Sequence, residues 1–225
     1  MYSHILTSVV GKHRNNQDAI KYFESTDKVI AIVADGLGSR KKSAEGARLI
    51  CRMMVEELET KQLPLQSIDI VSPIKWYEHL EKEKLNPDDH CTTCSFAVID
   101  KISKIISVGQ IGDSPIFVGI DGSSIVVLKQ EKEFSNITTC LGGREKASFT
   151  INNFKFNCNM RVLVTSDGIG DELDGSNIES LFSYLSSKYQ PYSKKSRSRR
   201  FTKEIKATVG KVNNDDKSAI YIWSL

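Results

Sequence analysis

Two apolar runs in this chain stop at the same kind of junction, and that repeat limits the folds open to it more than any other feature. Val29 to Ala34 (VIAIVA) ends at Asp35-Gly36-Leu37-Gly38-Ser39, and Arg161 to Thr165 (RVLVT) ends at Ser166-Asp167-Gly168. A continuous apolar segment of strand length, rich in β-branched residues, stays out of water only when both faces of its sheet are covered. The chain therefore needs layers on each side of a sheet. The Asp-Gly step then reverses the backbone sharply, and the strand behind it holds the carboxylate rigidly. Such a carboxylate beside an accessible main-chain carbonyl is a suitable ligand pair for a hard cation. Taken alone, Asp35-Gly36 reads rather as the turn of an ordinary hairpin.

The rest of the chain supplies the layers. Residues 2–10, 19–24 and 27–34 read as strands, the last two as a hairpin about Ser25-Thr26-Asp27. Ser43 to Thr60 carries Ala44, Ala47, Ile50, Met54 and Leu58 near a helical period with charged residues between them, which predicts an amphipathic helix with its methionines in the core. Ser72-Pro73 predicts a second helix, capped by the serine, with Ile74, Tyr77 and Leu80 on one face and Asn86-Pro87-Asp88-Asp89 as its end. His79 and His90 are expected at the surface. Residues 92–99, 104–111, 115–120 and 124–129 read as four strands of one antiparallel meander. Leu141-Gly142-Gly143 reads as a turn, 148–156 as a strand, Ser176 as the cap of a helix over 177–187, Phe201 to Val212 as another helix, and Ser218 to Ser224 as the closing strand. Strands at both ends, two helices after the third strand and two before the last predict an α+β fold. Two antiparallel sheets would be sandwiched between helices, in one domain spanning 1–225.

Composition excludes more than it selects. The net charge is +3, and five basic residues fall in one run, Lys194-Lys195-Ser196-Arg197-Ser198-Arg199-Arg200, so the remainder is slightly acidic. That is not the balance of a dedicated nucleic-acid binder, and without interleaved aromatics the run reads as a solvated connection between helices. No apolar stretch approaches the ~20 residues of a membrane-spanning helix. The N-terminal MYSHILTSVV lacks the basic and apolar regions of a secretion signal. Five cysteines, Cys51, Cys91, Cys94, Cys140 and Cys158, form an odd, irregular set, which predicts free thiols in a reducing cytoplasm. Cys91-Thr92-Thr93-Cys94 has neither a second pair nor a histidine at ligand spacing, so core thiols are favoured over a zinc site.

Carboxylates recur where loops meet apolar strands: Asp18 before 19–24, Asp35 after 27–34, Asp167 after 161–165 and Asp215 before 218–224, with Asp113 as a fifth. If those strands are neighbours, their ends bring several carboxylates into one site, which repels itself unless cations neutralise it. Oxygen ligands without His or Cys select Mg²⁺ or Mn²⁺ over zinc. Two such ions about 3.5–4 Å apart would polarise a bridging water and clamp a phosphoryl group. Each of these aspartates also has an ordinary explanation as a turn residue.

In order along the chain, GKHRNNQDA, VADGLGSRKKSAEGA, CTTCSFAVID, GQIGDSPIF, VTSDGIGDEL and NNDDKSAIYI resemble the successive motifs of the metal-dependent protein serine/threonine phosphatases of the 2C type, particularly a compact bacterial subgroup. The resemblance covers Gly11 to Ile222. It implies a four-layer α-β-β-α sandwich that hydrolyses phosphoserine and phosphothreonine on proteins at a binuclear Mn²⁺/Mg²⁺ site. A metal-activated water attacks directly, without a phosphoenzyme. Residue by residue, the resemblance implies that Asp35 bridges both metals and the Gly36 carbonyl binds one of them. Asp167 and Asp215 hold the other, Asp18 acts mainly through bound water, and Asp113 lies near a third, weaker metal position. Thr92-Thr93 matches a structural turn. The implied partners are phosphoproteins, opposite a serine/threonine kinase, with no nucleic acid and no membrane, the protein being a cytoplasmic monomer.

Three positions depart from those motifs. Gln17 stands where the family commonly has a glutamate that ligates one metal. The arginine that grips the substrate phosphate is out of register: Arg14 is one position off, and His13 or Lys12 could compensate. Leu37 occupies the place of a candidate general-acid histidine of eukaryotic members, where bacterial members commonly carry an apolar residue. Asp35, Asp18 and Arg14 are thus the candidate catalytic residues. Gln17 favours the alternative, a pseudophosphatase or regulatory binding module of the same fold.

Overall fold

The computed structural model describes residues 2–12, 15–122, 126–129, 139–143 and 147–224. Among these, one sheet runs β1 (Tyr2–Val9), β10 (Lys217–Ser224), β9 (Met160–Thr165), β6 (Ile116–Ile120) and β7 (Val126–Leu128). The other runs β2 (Ala19–Glu24), β3 (Lys28–Ala34), β4 (Cys94–Asp100), β5 (Ile105–Ile111) and β8 (Thr150–Lys155). All pairings are antiparallel. Helices α1 (Ser43–Thr60) and α2 (Ser72–Lys82) cover the β3 sheet. A single turn, α3 (Asp167–Gly170), leads to α4 (Ile178–Tyr189) and α5 (Lys194–Ala207), which cover the β10 sheet. No helix among the described residues is long and apolar enough to cross a membrane.

The strand period explains how VIAIVA is hidden. Val29, Ala31 and Val33 face the second sheet and meet the cluster containing Val162, Val164, Ile220 and Ile222. Ile30, Ile32 and Ala34 face the helices, with Ala47, Ile50 and Met54. Every residue of the run is fully buried, each large aliphatic side chain gaining about 1.5–3 kcal/mol over exposure. The β10 strand divides likewise, with Ala219, Tyr221 and Trp223 packed among Phe182, Leu185 and Phe201. The result is the expected four-layer sandwich.

Several local expectations are corrected. The four strands after residue 92 are not one meander: β4 and β5 pair in one sheet, β6 and β7 in the other. Gly112-Asp113-Ser114-Pro115 is a crossing between sheets, and its missing hairpin bonds are a tertiary matter that turn residues do not reveal. The basic run is not a loop but the first two turns of α5. Arg197 is buried there, its guanidinium 5.4 Å from the Trp223 ring and its Nε donating to Tyr192 O at 2.9 Å. Ser72 does not cap α2; its N–H and hydroxyl both donate to the buried Glu57 carboxylate. The buried face of α2 is Pro73, Trp76 and Leu80, leaving Ile74 60% exposed. Ahead of α4, the capping role falls to Asp174, which accepts from Ser176 N at 2.9 Å. His90 is buried rather than superficial, with Nδ1 2.8 Å from Asn86 O. Four cysteines are core thiols as expected, but Cys158 is exposed.

Candidate metal centre

Register brings the acidic strand ends together. Ala19 opposes Ala34, so Asp18 and Asp35, the next residues outward, emerge side by side from β2 and β3. In the other sheet Ala219 opposes Thr165. That pairing extends through Ser166 N to Ser218 O at 2.9 Å and Ser218 N to Ser166 Oγ at 3.0 Å, bringing Asp167 toward Asp215. The crossing between β5 and β6 delivers Asp113 to the same neighbourhood, where its charge acts on Asp167.

Both Asp-Gly turns need glycine for space. A Cβ on Gly36 would stand 2.7 Å from Gln17 O and 2.8 Å from the Ser43 carbonyl carbon; one on Gly168 would stand 2.0 Å from Asp216 O. The close approach is therefore by neighbouring backbone, which fixes each turn against the segment beside it: the Gln17 loop and the start of α1 for Gly36, the Asp215-Asp216 loop for Gly168. Thr92 and Thr93 clamp the first turn. Thr93 N and Thr92 Oγ1 donate to Asp35 O at 2.8 and 2.9 Å, and Asp35 N donates to Thr93 Oγ1 at 3.1 Å. Thr93 Oγ1 also lies 3.0 Å from Ser114 Oγ, tying the clamp to the Asp113 crossing.

The electrostatics are those of a site short of positive charge. Burial pushes the Asp18 carboxyl up to about 7, an effect that neighbouring Ser218 and Ser166 reduce and Asp216 increases. Neither serine reaches it with hydrogen-bond geometry: both Asp18 oxygens are buried without a donor, and the Ser218 hydroxyl is committed to Ser8 Oγ at 2.9 Å. Asp35 is raised well above the usual range, by burial first and then by Asp18, Asp167 and Asp215. Asp167 is raised too, chiefly by burial, while a hydrogen bond from Asp35 offsets part of the rise, and its Oδ1 is buried without a partner. Without cations, burial and mutual repulsion favour the protonated form of these carboxyls. The cluster is also open: among the described residues no three His, Cys, Asp or Glu side chains already close around one point as metal ligands. Acceptor-only oxygens buried without donors, in an all-carboxylate set, fit hard divalent cations. Beside them a cleft of ≈ 320 Å³ is lined by Asp167, Gly168, Asp171, Glu172, Asn213, Asn214 and Asp215.

A profile described as protein phosphatase 2C matches residues 7–208. The chain belongs to the protein phosphatase 2C family. Its fold is similar to Stp1, a serine/threonine phosphatase from Staphylococcus aureus, at 17% identity and a TM-score of 0.70 over 100% of this chain and 95% of that one. It is also similar to the catalytic domain of PstP in complex with two manganese ions, at 15% identity and 0.66 over 99% and 97%. RsbX in complex with magnesium gives 13% and 0.66 over 99% and 94%. At such identities the likeness is one of fold. No curated protein matches the chain in sequence.

Two residues of this phosphatase 2C chain were not singled out by its sequence. The Asp216 carboxylate accepts Gly11 N at 2.7 Å and Gln17 N at 2.6 Å, pinning the loop that presents Asp18. Lys217 is 1% exposed, and its Nζ donates to Asn213 Oδ1 at 2.8 Å, Asn213 O at 3.2 Å and Asp215 O at 2.7 Å, so it holds the loop that carries Asp215. The available signal was a charged Asp216-Lys217 pair running directly into an apolar strand, which has no reason to be there unless both charges are satisfied inside. Gln17 turns its amide to Ser43 Oγ at 2.8 Å, at the start of α1. Arg14 and His13 lie outside the described residues.

Proposed function

We propose that this protein hydrolyses phosphoserine and phosphothreonine on proteins, as a single 2C-type domain spanning 1–225 that acts as a monomer opposite a serine/threonine kinase. The observation that carries this reading is the set of buried Asp18 and Asp167 oxygens lacking any donor, within carboxyls from both sheets that burial and one another's charge raise above the ordinary range. Two Mn²⁺ or Mg²⁺ ions would supply the charge that makes water nucleophilic and draws electron density from the phosphoryl oxygens. In this reading Asp35 would serve both ions, with the Gly36 carbonyl for one and Asp167 and Asp215 for the other. Asp113 would serve a third, weaker position. Asp18, beside Asp35, would orient water or hold a proton, and Arg14 would grip the substrate phosphate. The ions named with PstP and RsbX support the choice of metals.

The test is hydrolysis of p-nitrophenyl phosphate and of a phosphothreonine peptide with Mn²⁺, with Mg²⁺ and with EDTA. Turnover should require added metal and be nearly abolished in Asp35→Asn. Undiminished turnover after exhaustive chelation would overturn the proposal. The second reading, a pseudophosphatase, is favoured by the Gln17 amide being engaged with Ser43. It expects metal binding by calorimetry with no hydrolysis of either substrate.

A further inference from the structure

Two cysteines outside the acidic cluster meet beside the turn that carries it. Thr92 and Leu141 form an antiparallel bridge, with Thr92 N donating to Leu141 O at 3.1 Å and Leu141 N to Thr92 O at 2.9 Å. Residues alternate between faces along such a ladder, so Cys91 and Cys140 project to one face from adjacent segments, as diagonal neighbours. The Gly142-Gly143 turn beside them carries no side chain over either sulfur. A Cβ on Gly142 would lie 3.2 Å from Cys91 Sγ, and one on Gly143 would lie 3.2 Å from Cys140 Sγ. Each thiol acts on the other, lowering Cys91 and raising Cys140, with the Arg40 guanidinium also favouring the Cys91 thiolate against the opposing effect of burial. Cys91 and Cys140 are buried, at 1% and 6% exposure, as are Cys51 and Cys94, which burial pushes up; Cys158 is exposed.

We infer that Cys91 and Cys140 form an oxidation site, closing a disulfide when the protein meets hydrogen peroxide and thereby slowing the reaction proposed above. Only the effect on turnover rests on that reading. The Cys91 thiolate attacks the peroxide O–O bond, giving a sulfenic acid and one water. The Cys140 thiol then attacks the sulfenic sulfur, forming the S–S bond and releasing the second water, so two thiols and one peroxide become one disulfide and two waters. The consequence for the site runs through the backbone. Leu37 N donates to Cys91 O at 3.0 Å, and Thr92 and Thr93 hold Asp35. Drawing residue 91 toward residue 140 therefore pulls on the segment from which the Asp35-Gly36-Leu37 turn hangs.

The experiment treats the folded protein with hydrogen peroxide, alkylates it without reduction and maps peptides by mass spectrometry, with turnover measured on the same samples. A Cys91–Cys140 cross-linked peptide is expected, with two of the five free thiols consumed in forming it. Turnover should fall by roughly tenfold, since ångström-scale misplacement of reacting groups costs up to ~100-fold, and dithiothreitol should restore it. Cys140→Ser should match the untreated protein in turnover and resist peroxide. No cross-link under conditions that oxidise Cys158, or a cross-link between other cysteines, would overturn the site. Full cross-linking with unchanged turnover would overturn its coupling to the Asp35 turn. Because the cross-link is read by mass, a protein inactive in both states would count against the proposed function alone.

Discussion

Replacing Asp18 by asparagine removes one charge from the acidic cluster while keeping the shape of the side chain, and in metal-free protein it should raise stability above neutral pH. The Asp18 carboxyl is pushed up to about 7 from an ordinary 3.8, burial being the largest cause. A carboxyl with a raised folded-state pKa binds its proton more tightly folded than unfolded. Its contribution is therefore present below the unfolded value and lost as pH climbs from 3.8 to about 7. About 3 pH units at about 1.4 kcal/mol each set a ceiling near 4 kcal/mol. Protons shared with Asp35 reduce the part that belongs to Asp18 alone, leaving about 2–3 kcal/mol, or roughly 4–12 °C in unfolding midpoint for a chain of this size. Asparagine leaves no donor behind without its acceptor, because neither of the oxygens it replaces has a hydrogen-bond partner. Urea unfolding in EDTA across the range from about pH 4 to about pH 8 checks this. The two proteins should agree at the acid end and diverge as pH rises, with Asp18→Asn the more stable, and added Mn²⁺ should narrow or reverse the gap. A variant less stable than the parent at the alkaline end, or two parallel curves, would refute the electrostatic account of the cluster.

Lys217→Met should cost about 2–4 kcal/mol in urea unfolding, because oxygens of Asn213 and Asp215 lose a buried donor. In the proposed reading it also raises the Mn²⁺ concentration for half-maximal turnover, and an unchanged unfolding midpoint would show that the ammonium does not hold the Asp215 loop. Arg197→Ala should destabilise by about 1–3 kcal/mol through lost packing on Trp223 and the lost bond to Tyr192. Arg199→Gln, on the exposed side of α5, should stay within about 0.5 kcal/mol in the same assay and leave p-nitrophenyl phosphate turnover unchanged. Gln17→Glu adds a carboxylate beside the cluster and should lower the Mn²⁺ needed for half-maximal activity, with little change at saturation. Indistinguishable calorimetric titrations would place residue 17 away from the metals.

By itself the sequence determined the elements and the residues at their ends. VIAIVA and RVLVT state their own double-sided burial, the Ser43 to Thr60 pattern states its helix, and each aspartate announces a strand terminus, because hydrophobic period and turn chemistry act over a few neighbouring residues. The family motifs, short as each is, added order along the chain. Only the tertiary structure decided which terminus meets which. The turn at Asp113 has the composition of a hairpin, yet it leaves one sheet for the other, since β6 pairs with β7 and with β9, the latter about 45 residues further on, and not with β5. The basic run looks solvated from its charges, but α5 has Trp223 and Tyr192 to lay Arg197 against. Asp216 and Lys217 are satisfied inside only because Gly11, Gln17, Asn213 and Asp215 arrive from the loops around them. A buried charge is decided by its partners, and partners distant in sequence are brought within hydrogen-bond reach only by the packing of the two sheets.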